Sequence, residues 1–256
     1  MMYGNTVTQR IALKVDGLPA WVKGSFPGYV ANGAGDITGL ATMSVTSAGK
    51  VSGKFADGGK TWTFSVASFT QSDGTYFLVP VTAKYAYKVK EKVKGKTRTV
   101  TKYLTRSFLF LVQSGMYGGE VYLMEQTTDG SLVQGQQNLW GSTYKKIGAK
   151  LFVTGKKKYK VYKANVVVGG KSCALAVKVT TAGKATVTLT YDTGKKKKGK
   201  PVYYKPSCST VVLPNSLSDV APANFNGKVY IYFAPSAANN FPEIGRELNI
   251  LGNNLL

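Results

Sequence analysis

The sequence predicts an all-β fold, an antiparallel meander of about 12–14 strands that is a closed or nearly closed β-barrel, with a β-sandwich as the alternative. Three observations favour this prediction. Apolar and polar residues alternate with a period of two along most of the 256 residues. Glycine-containing turn signals recur between the alternating segments. The polar composition is rich in Gly, Thr, Ser and Lys and poor in the Glu and Gln that populate helix surfaces.

Each predicted strand is an alternating segment bounded by turn signals. In chain order the predicted strands cover residues 10–15, 39–46, 50–56, 61–69, 75–94, 96–112, 120–125, 150–153, 158–168, 174–181, 184–191, 200–213 and 228–234. The turns between them contain Gly49, Gly58, Gly74, Gly130, Gly170 or Gly183, residues that tolerate a positive φ angle. Turns this short join antiparallel neighbours, and an open sheet of so many strands exposes its edges, so we expect the sheet to close.

Short sequence matches predict two related halves. The segment Val-Thr-Ser-Ala-Gly-Lys at residues 45–50 recurs as Val-Thr-Thr-Ala-Gly-Lys at residues 179–184. An aromatic-x-Gly-x-Val pattern occurs at residues 26–30, 117–121 and 225–229. Repeats of this kind indicate that one structural unit has been duplicated. We therefore predict a first β half over residues 1–137 and a second β half with a C-terminal tail over residues 138–256, together forming one compact unit.

The charge of the chain is lopsided, with 34 Lys and Arg against 12 Asp and Glu and a net charge of +22. A field of this sign attracts polyanions. The densest basic pattern lies at residues 84–106, where lysines alternate with Tyr, Val and Glu before Gly95 allows the chain to reverse. Alternation places the ammonium groups of the first strand on one face. Because both strands are long, we expect this hairpin to project beyond the core.

Two more basic clusters flank predicted turns, at residues 156–163 and 195–205. The candidate contact residues of the three clusters are Lys88, Lys90, Lys92, Lys94, Lys96, Arg98, Lys156, Lys157, Lys158, Tyr159, Lys160, Lys195, Lys196, Lys197, Lys198 and Lys200. Interleaved rings and cations suit single-stranded nucleic acid, because rings stack on bases while cations follow phosphates. The same pattern also arises from ordinary amphipathic alternation with edge lysines that deter aggregation, which is the commoner case.

The sequence predicts neither catalysis nor a metal or cofactor site. There is no histidine, which removes the usual general base and the commonest transition-metal ligand. The acidic residues are scattered, and Glu120 and Glu125 have opposite parity on one predicted strand, so they point to opposite faces. No phosphate-binding glycine motif occurs.

The two cysteines, Cys173 and Cys208, form a disulfide only if the local topology is not a simple meander. In a meander the turn at Gly183 sets Val179 opposite Thr186, and Thr186 lies opposite Cys208. The thiols are then roughly 20 Å apart along the strands, past the limit of about 7 Å between Cα atoms for a disulfide. The alternative is two buried thiols that behave as apolar side chains.

The sequence allows more than one cellular location for the protein and more than one structure for its C-terminal segment. The chain has no apolar run of the length that a membrane-spanning helix needs, so no membrane span is predicted. The first residues lack the apolar stretch of a signal peptide, so the chain is either cytoplasmic or a piece of a longer exported protein. Residues 235–256 are a docking tail, an added edge strand or a disordered end.

Several phrases carry a resemblance to a known class of sequence. They are Leu-Pro-Ala-Trp-Val at residues 18–22, Gly-Ser-Phe-Pro-Gly-Tyr at 24–29, the segment 45–53, Gly-Gly-Lys-Thr-Trp-Thr-Phe at 58–64 and Gln-Asn-Leu-Trp at 137–140. They resemble the uncharacterised duplicated β-repeats of large secreted or surface proteins from Lentisphaera-like and planctomycete-like bacteria. The resemblance implies a passive module of a longer exported polypeptide, secreted or at the cell surface, and it brings no catalytic residues. The heavy lysine load departs from that pattern.

Two hypotheses for function follow. The first is a non-catalytic extracellular structural, adhesion or assembly module with projecting Lys/Tyr-rich hairpins, whose partners are other domains of a longer surface protein or further copies of itself. The alternative is a polyanion-binding β domain whose ligand is nucleic acid or an acidic glycan. Salt separates the two, because charge neutralisation makes affinity fall steeply with ionic strength.

Overall fold

The structure is a computed structural model that describes residues 17–32, 34–93, 95–115, 118–129, 138–140, 159–180, 183–214, 226–252 and 254–255. The predicted strands at 10–15 and 150–153 lie outside these residues. Most described residues are in β-strands, and the helical element among them is a single 3-10 turn, Ala237–Asn239. Within this part of the chain, no helix is long and apolar enough to cross a membrane. The predicted all-β fold is confirmed.

The first sheet is an antiparallel meander that nearly closes into a barrel. Its strands are β1 (Gly24–Ala31), β2 (Ile37–Val45), β3 (Val51–Asp57), β4 (Lys60–Val66), β5 (Gln71–Ser72), β6 (Tyr76–Val93), β7 (Lys96–Gly115), β8 (Gly118–Gln126) and β9 (Asn138–Trp140). They lie in the order β4-β3-β2-β1-β9-β8-β7-β6-β5, and β4 also pairs with β6 through Thr63 and Lys84. With this pairing, each strand from β1 to β4 and from β6 to β9 has a partner on both sides.

The second sheet is also an antiparallel meander that nearly closes into a barrel. Its strands are β10 (Tyr159–Val168), β11 (Lys171–Thr180), β12 (Lys184–Lys197), β13 (Lys200–Tyr204), β14 (Ser207–Pro214), β15 (Asn226–Phe233), β16 (Ile244–Leu251) and β17 (Asn254–Leu255). They lie in the order β10-β11-β12-β14-β15-β16-β17, and β13 pairs with the far end of β12. The short β17 approaches β10 and brings the two ends of the sheet together.

Each barrel surrounds a hydrophobic core of its own, built by the alternation seen in the sequence. Along β2, for example, Met43 and Val45 point inward and are buried, whereas Thr42 between Ala41 and Met43 is exposed. The first core is rich in aromatic rings, including Phe26, Phe55, Phe108 and Phe110. The second is mainly aliphatic and includes Leu175, Val177, Val187, Leu189 and Ile231.

The strand prediction is wrong at residues 200–213, which form two strands instead of one. Lys205 and Pro206 separate β13 from β14. A proline has no N–H to donate to a strand ladder, so it interrupts the pairing. The structure also adds β1, β5 and β9, which the predicted strands did not include, and it has β16 and β17 within residues 235–256, for which a strand was one of three alternatives. In β1 the residues Gly24, Pro27 and Gly28 resemble turn signals although they lie within a strand.

The prediction of two repeated halves is confirmed by the shared turns. Gly49 and Gly183 end the two Ala-Gly turns with φ angles of 82° and 72°. The N–H of Gly49 donates to the Thr46 carbonyl at 3.0 Å, and the N–H of Gly183 donates to the Thr180 carbonyl at 2.9 Å. The valines of the second repeated pattern, Val30, Val121 and Val229, are all buried, whereas its aromatic positions 117 and 225 lie outside the described residues.

The two barrels are in contact through β1 and β2 of the first and β15 and β16 of the second. The ring of Tyr29 stacks on the ring of Tyr230, with the centroids 4.1 Å apart. Backbones also meet, because a Cβ on Gly245 would lie 1.6 Å from the Ile37 carbonyl oxygen. The predicted division between residues 137 and 138 falls just before β9, which pairs with β8 and β1 of the first sheet.

Both cysteines are free, as the predicted meander requires. Cys208 on β14 lies opposite Val187 on β12, and Val187 lies opposite Val177 on β11. Cys173 is further along β11, toward its start. The predicted register is one residue off, because Val179 pairs with Ala185 instead of Thr186. Burial raises the pKa of the Cys208 thiol to about 11, so at neutral pH this side chain is a protonated, largely apolar group.

The C-terminal segment is an added strand in its own sheet. Of the three alternatives for residues 235–256, the structure is nearest to the added strand, but β16 does not lie at an edge. It pairs with β15 from Asn226–Leu251 to Phe233–Ile244 and with β17 on its other side. Phe241 precedes this strand and is buried in the second core, where its ring meets Tyr191, Tyr204 and Phe233 edge-on. The segment therefore completes the second barrel.

Candidate functional site

The longest hairpin among the described residues continues past the end of the first barrel. Strands β6 and β7 pair without a break from Tyr76–Gln113 to Val93–Lys96. Their barrel neighbours stop earlier, because β4 reaches β6 only at Lys84 and β8 pairs with β7 only from Ser107 onward. Residues 85–105, which we call the basic arm, therefore form a two-stranded ribbon. Its nine residues on β6 span roughly 30 Å at about 3.3 Å per residue.

The register divides the cations of the basic arm between its two faces. Directly opposed residues of an antiparallel pair point to the same side. On the first strand Lys88, Lys90 and Lys92 are opposed by Thr101, Thr99 and Thr97, so these six residues lie on one side of the ribbon, which we call the lysine–threonine face. On the return strand Lys96, Arg98 and Lys102 are opposed by Val93, Glu91 and Tyr87. The three cations therefore lie on the opposite side of the ribbon, which we call the mixed face.

The single basic face predicted for the first strand is therefore confirmed for its described lysines, and the cations of the return strand point the opposite way. Lys94 lies outside the described residues. The mixed face is continuous with the interior of the barrel, since Val81 and Ala83 have the same parity on β6 and are buried. The lysine–threonine face is continuous with the barrel exterior.

The basic arm contains one acidic residue, Glu91, which forms a salt bridge with Lys102. The hydrogen bond to Glu91 raises the pKa of Lys102. Both partners are well exposed, so the bridge contributes little to stability. For Lys88, Lys90, Lys92, Lys96 and Arg98, no carboxylate of a described residue lies within ion-pairing distance. Their charge is directed to solvent.

Arg106 holds the root of the basic arm. Its guanidinium donates to Glu125 through Nε at 2.6 Å and Nη2 at 2.5 Å, and to Asp57 through Nη1 at 2.6 Å. The guanidinium carbon also lies 5.1 Å from the centre of the Trp62 ring and 5.2 Å from that of Phe108. Hydrogen bonding to Glu125 raises the pKa of this arginine. Arg106 thus connects β7 to β3, β4 and β8 at the end of the barrel from which the arm projects.

Aromatic rings extend this attachment onto the mixed face. Tyr85 lies 5.9 Å from Trp62, centre to centre, and 6.2 Å from Tyr87, with the two tyrosine rings nearly parallel. Lys60 places its ammonium 5.8 Å from the centre of the Tyr85 ring. Tyr103, on the lysine–threonine face, is 60% exposed. The rings nearest the barrel are therefore packed, whereas Tyr103 is open to solvent.

The second basic cluster surrounds the tight turn between β12 and β13. Lys196, Lys197, Lys198 and Lys200 are exposed there. The turn itself consists of Lys198 and Gly199, both with positive φ angles, 52° and 76°, as a type I′ hairpin turn requires. Lys195 differs from its neighbours, because its ammonium donates to the Ala238 carbonyl at 2.6 Å. Lys195 is exposed as well, so it remains among the candidate contact residues, although its ammonium has this backbone partner.

The third cluster is only partly within the described residues, since Lys156, Lys157 and Lys158 lie outside them. Tyr159 starts β10 and is 47% exposed, with the ammonium of Lys178 4.1 Å from the centre of its ring. Lys160 points to the core side of the sheet, 4.7 Å from the centre of the buried Tyr162 ring, and burial lowers its pKa. Tyr159 and Lys160 therefore face opposite sides of the sheet.

The described parts of the three clusters lie on different elements of the fold. The basic arm belongs to the first sheet, and the other two clusters belong to the second. Within the second sheet, Tyr159 pairs with Thr180 at one end, whereas the turn at Lys198 lies beyond the opposite end of β11. The structure thus presents separate basic projections, of which the arm is the longest.

A shallow depression lies on the outer face of β10, β11 and β12. It has a volume of about 390 Å³, and its lining includes Lys163, Asn165, Ala174, Ala176, Thr188 and Thr190. The alanines occupy the middle strand, where their short side chains leave room between the longer residues on either side. Its polar lining consists of one ammonium together with amide and hydroxyl groups.

The acidic residues of the described part of the chain serve structural contacts. Glu125 pairs with Arg106 on one face of β8, and Glu120 accepts from Tyr122 at 3.0 Å on the other, so the predicted opposite orientation is confirmed. Within the described residues, no group of three or more His, Cys, Asp or Glu is placed to hold a metal ion. The Arg106 cluster was missed by sequence reasoning, because Asp57 and Glu125 are 49 and 19 residues away from it in the chain.

No protein-family model, curated protein or solved structure matches this chain.

Proposed function

We propose that the protein is a non-catalytic structural or adhesion module that makes its contacts through projecting Lys/Tyr-rich hairpins. The observation that carries this proposal is the basic arm, a two-stranded ribbon that extends roughly 30 Å past the first barrel and is held at its root by Arg106. A ribbon of this length contributes little to either core. A role in contact with another molecule explains why the chain maintains it.

The partner that the arm suits best is an anionic polymer, either an acidic glycan or a nucleic acid. Five exposed cations of the arm have no described carboxylate beside them. Like charges so close together repel one another, and a polyanion relieves that repulsion while releasing its own counterions. The net charge of +22 attracts the same class of partner over longer distances.

We further propose that the module works outside the cell, as part of a longer surface protein or by assembling with other copies. The support is the resemblance of residues 24–29 and 58–64 to β-repeats of large secreted bacterial proteins. The two packed barrels are consistent with a passive, rigid spacer, because Tyr29 and Tyr230 join them directly.

The test is a binding panel of DNA, RNA, a heparin-like glycan and a neutral glycan, each at low and near-physiological salt. We expect binding to the acidic polymers that weakens by about tenfold or more as salt rises, and no binding to the neutral glycan. The anionic-polymer proposal would be overturned if the neutral glycan bound as tightly as the acidic polymers, or if the affinity for the acidic polymers did not change with salt concentration.

Two variants with the same change in net charge locate the contact. The arm variant replaces Lys88, Lys90, Lys92, Lys96 and Arg98 by Gln. The control variant replaces Lys50, Lys54, Lys178, Lys184 and Arg246, which are exposed and lie outside the three clusters. We expect the arm variant to lose about tenfold or more in affinity and the control to lose much less. Equal losses would show that overall charge, and not the arm, drives binding.

A further inference from the structure

We propose that the basic arm binds two acidic polysaccharide chains at once, one on each face, and so cross-links them. This inference rests on the proposed function and goes further, because it names the class of polymer and the number of chains. It follows from the strand register, which sends the cations of the two arm strands to opposite sides.

The two cation rows are separated by the ribbon itself. Lys88, Lys90 and Lys92 extend from one side of the backbone, and Lys96 and Arg98 extend from the other. With side chains pointing both ways from a single layer, the two rows of charge lie on the order of 10 Å apart. A thin linear polymer that follows one row leaves the other row free for a second chain.

Both faces are open along the outer part of the arm. All five of these cations are exposed. Beyond Lys84 on β6 and Ser107 on β7, the described part of the chain contributes no further strand pairing to the ribbon. A polymer can therefore lie along either side without displacing another element among the described residues.

Charge is available on both faces. The lysine–threonine face carries three lysines and no acidic residue, at a spacing of about 6.6 Å along the strand. The mixed face carries Lys96, Arg98 and Lys102, of which Lys102 is paired with Glu91. The mixed face thus retains two unpaired cations, so we expect it to be the weaker of the two sites.

The side chains around the lysines favour a polysaccharide over a nucleic acid. Binding of single strands depends on open rings on which bases stack. Here Tyr85 packs against Trp62 and Tyr87, and the exposed ring on the lysine–threonine face is Tyr103. That face offers instead the hydroxyls of Thr97, Thr99 and Thr101 beside the lysines. Hydroxyls donate to and accept from sugar hydroxyls, while ammonium groups meet sulfates or carboxylates.

The experiment measures how many short heparin-like oligosaccharides one protein molecule binds, by calorimetric titration of the full chain at low salt. All measurements use a background in which Lys196, Lys197, Lys198 and Lys200 are replaced by Gln, so that the second cluster does not contribute. Three variants are compared in it: K88Q/K90Q/K92Q, K96Q/R98Q, and the two sets combined.

We expect the number of bound oligosaccharides to fall by one in each single-face variant and by two in the combined variant. Any binding site outside the arm is present in every variant, so it does not affect the differences in the number of bound oligosaccharides. Mixing donor- and acceptor-labelled oligosaccharides gives an independent readout, because energy transfer between them requires both faces and disappears in either single-face variant.

The outcomes separate the inference from the proposed function. If the number of bound oligosaccharides falls by one in all three variants, one chain occupies both faces. This outcome overturns cross-linking but leaves the polyanion-binding proposal intact. Absence of any binding to acidic oligosaccharides and polymers overturns both. Single-stranded DNA of equal charge is titrated alongside, and a clear preference for it rejects the polysaccharide as the partner class.

Discussion

Tyr29 of the first barrel and Tyr230 of the second stack their rings with the centroids 4.1 Å apart. Burial, followed by the proximity of Tyr29, raises the pKa of Tyr230. The stacked pair lies where β2 and β15 approach each other, so it is one of the contacts that join the two barrels. This contact is open to a direct test.

Replacing Tyr230 by Ala is expected to lower the free energy of unfolding by about 2–3 kcal/mol, because a packed aromatic ring is lost together with its stacking partner. We also expect the two barrels to unfold separately, which differential scanning calorimetry detects as two transitions. The matched control is Tyr203→Ala, since Tyr203 is 54% exposed. A single unchanged transition in Y230A would show that the stack does not couple the barrels.

Replacing Arg106 by Lys is expected to destabilise the protein by about 1–2 kcal/mol, although the charge is kept. An ammonium cannot reproduce the paired hydrogen bonds to Glu125 and the bond to Asp57 that the guanidinium makes. Denaturant titration measures the loss, and hydrogen exchange should show faster exchange in residues 85–105. Arg98→Lys is the control, because Arg98 is exposed on the arm. If R106K behaves like R98K, Arg106 does not hold the arm.

Alkaline pH is expected to destabilise the fold through buried tyrosines. Burial and a hydrogen bond to Glu243 raise the pKa of Tyr232 to about 12, from about 10 in an unfolded chain. A group whose pKa is raised on folding stabilises the native state fully below the unfolded pKa, and the contribution is lost as pH rises through the folded pKa. Stability should therefore fall between about pH 10 and pH 12.

Denaturant titrations from pH 9 to pH 12, with tyrosinate absorbance followed in parallel, check this expectation. Tyr232→Phe removes one of the contributing groups, so its stability should decline less steeply over the same range. A decline of identical steepness in Y232F and in the unaltered protein would contradict the assignment to Tyr232.

Replacing Lys198 by Asn is expected to raise the free energy of unfolding by about 0.5–1 kcal/mol. Lys198 has a φ angle of 52°, a backbone conformation that Asn adopts more readily than Lys, and Asn-Gly is a preferred pair for type I′ turns. Thermal unfolding measures the gain. The substitution also removes one cation from the second cluster, so it separates the stability of the hairpin from its contribution to polymer binding. A loss of stability would reject the turn assignment.

Much of the fold is predictable from the sequence, because strand alternation and glycine turns are local signals. The hairpins around Gly49, Gly95 and Gly183 follow from them directly. Strand β1 is not predictable in this way, since Pro27 and its neighbouring glycines suggest a turn when they are considered without their partners β2 and β9. The missing information is non-local.

The candidate site likewise has features that local sequence signals predict and features that depend on contacts between distant residues. Alternation locates Lys88, Lys90 and Lys92 on one face. The pairing of Val93 with Lys96 then determines which face the cations of the return strand occupy. The role of Arg106 could not be predicted, because its partners come from β3 and β8. The orientation of Lys160 could not be predicted for a related reason, since only the core of the folded sheet shows which side of β10 is inward.

The closure of each barrel has a consequence for the order in which the chain folds. In the first barrel, Gly28 of β1 pairs with Leu139 of β9, so nearly the whole half must be synthesised before this contact can form. In the second, β10 must wait for β17. Contacts so distant in sequence make folding slow. During translation, the first barrel can close while the second still lacks its final strands. We therefore expect each half to fold as a unit, and Tyr29 and Tyr230 to come into contact only after both halves have formed.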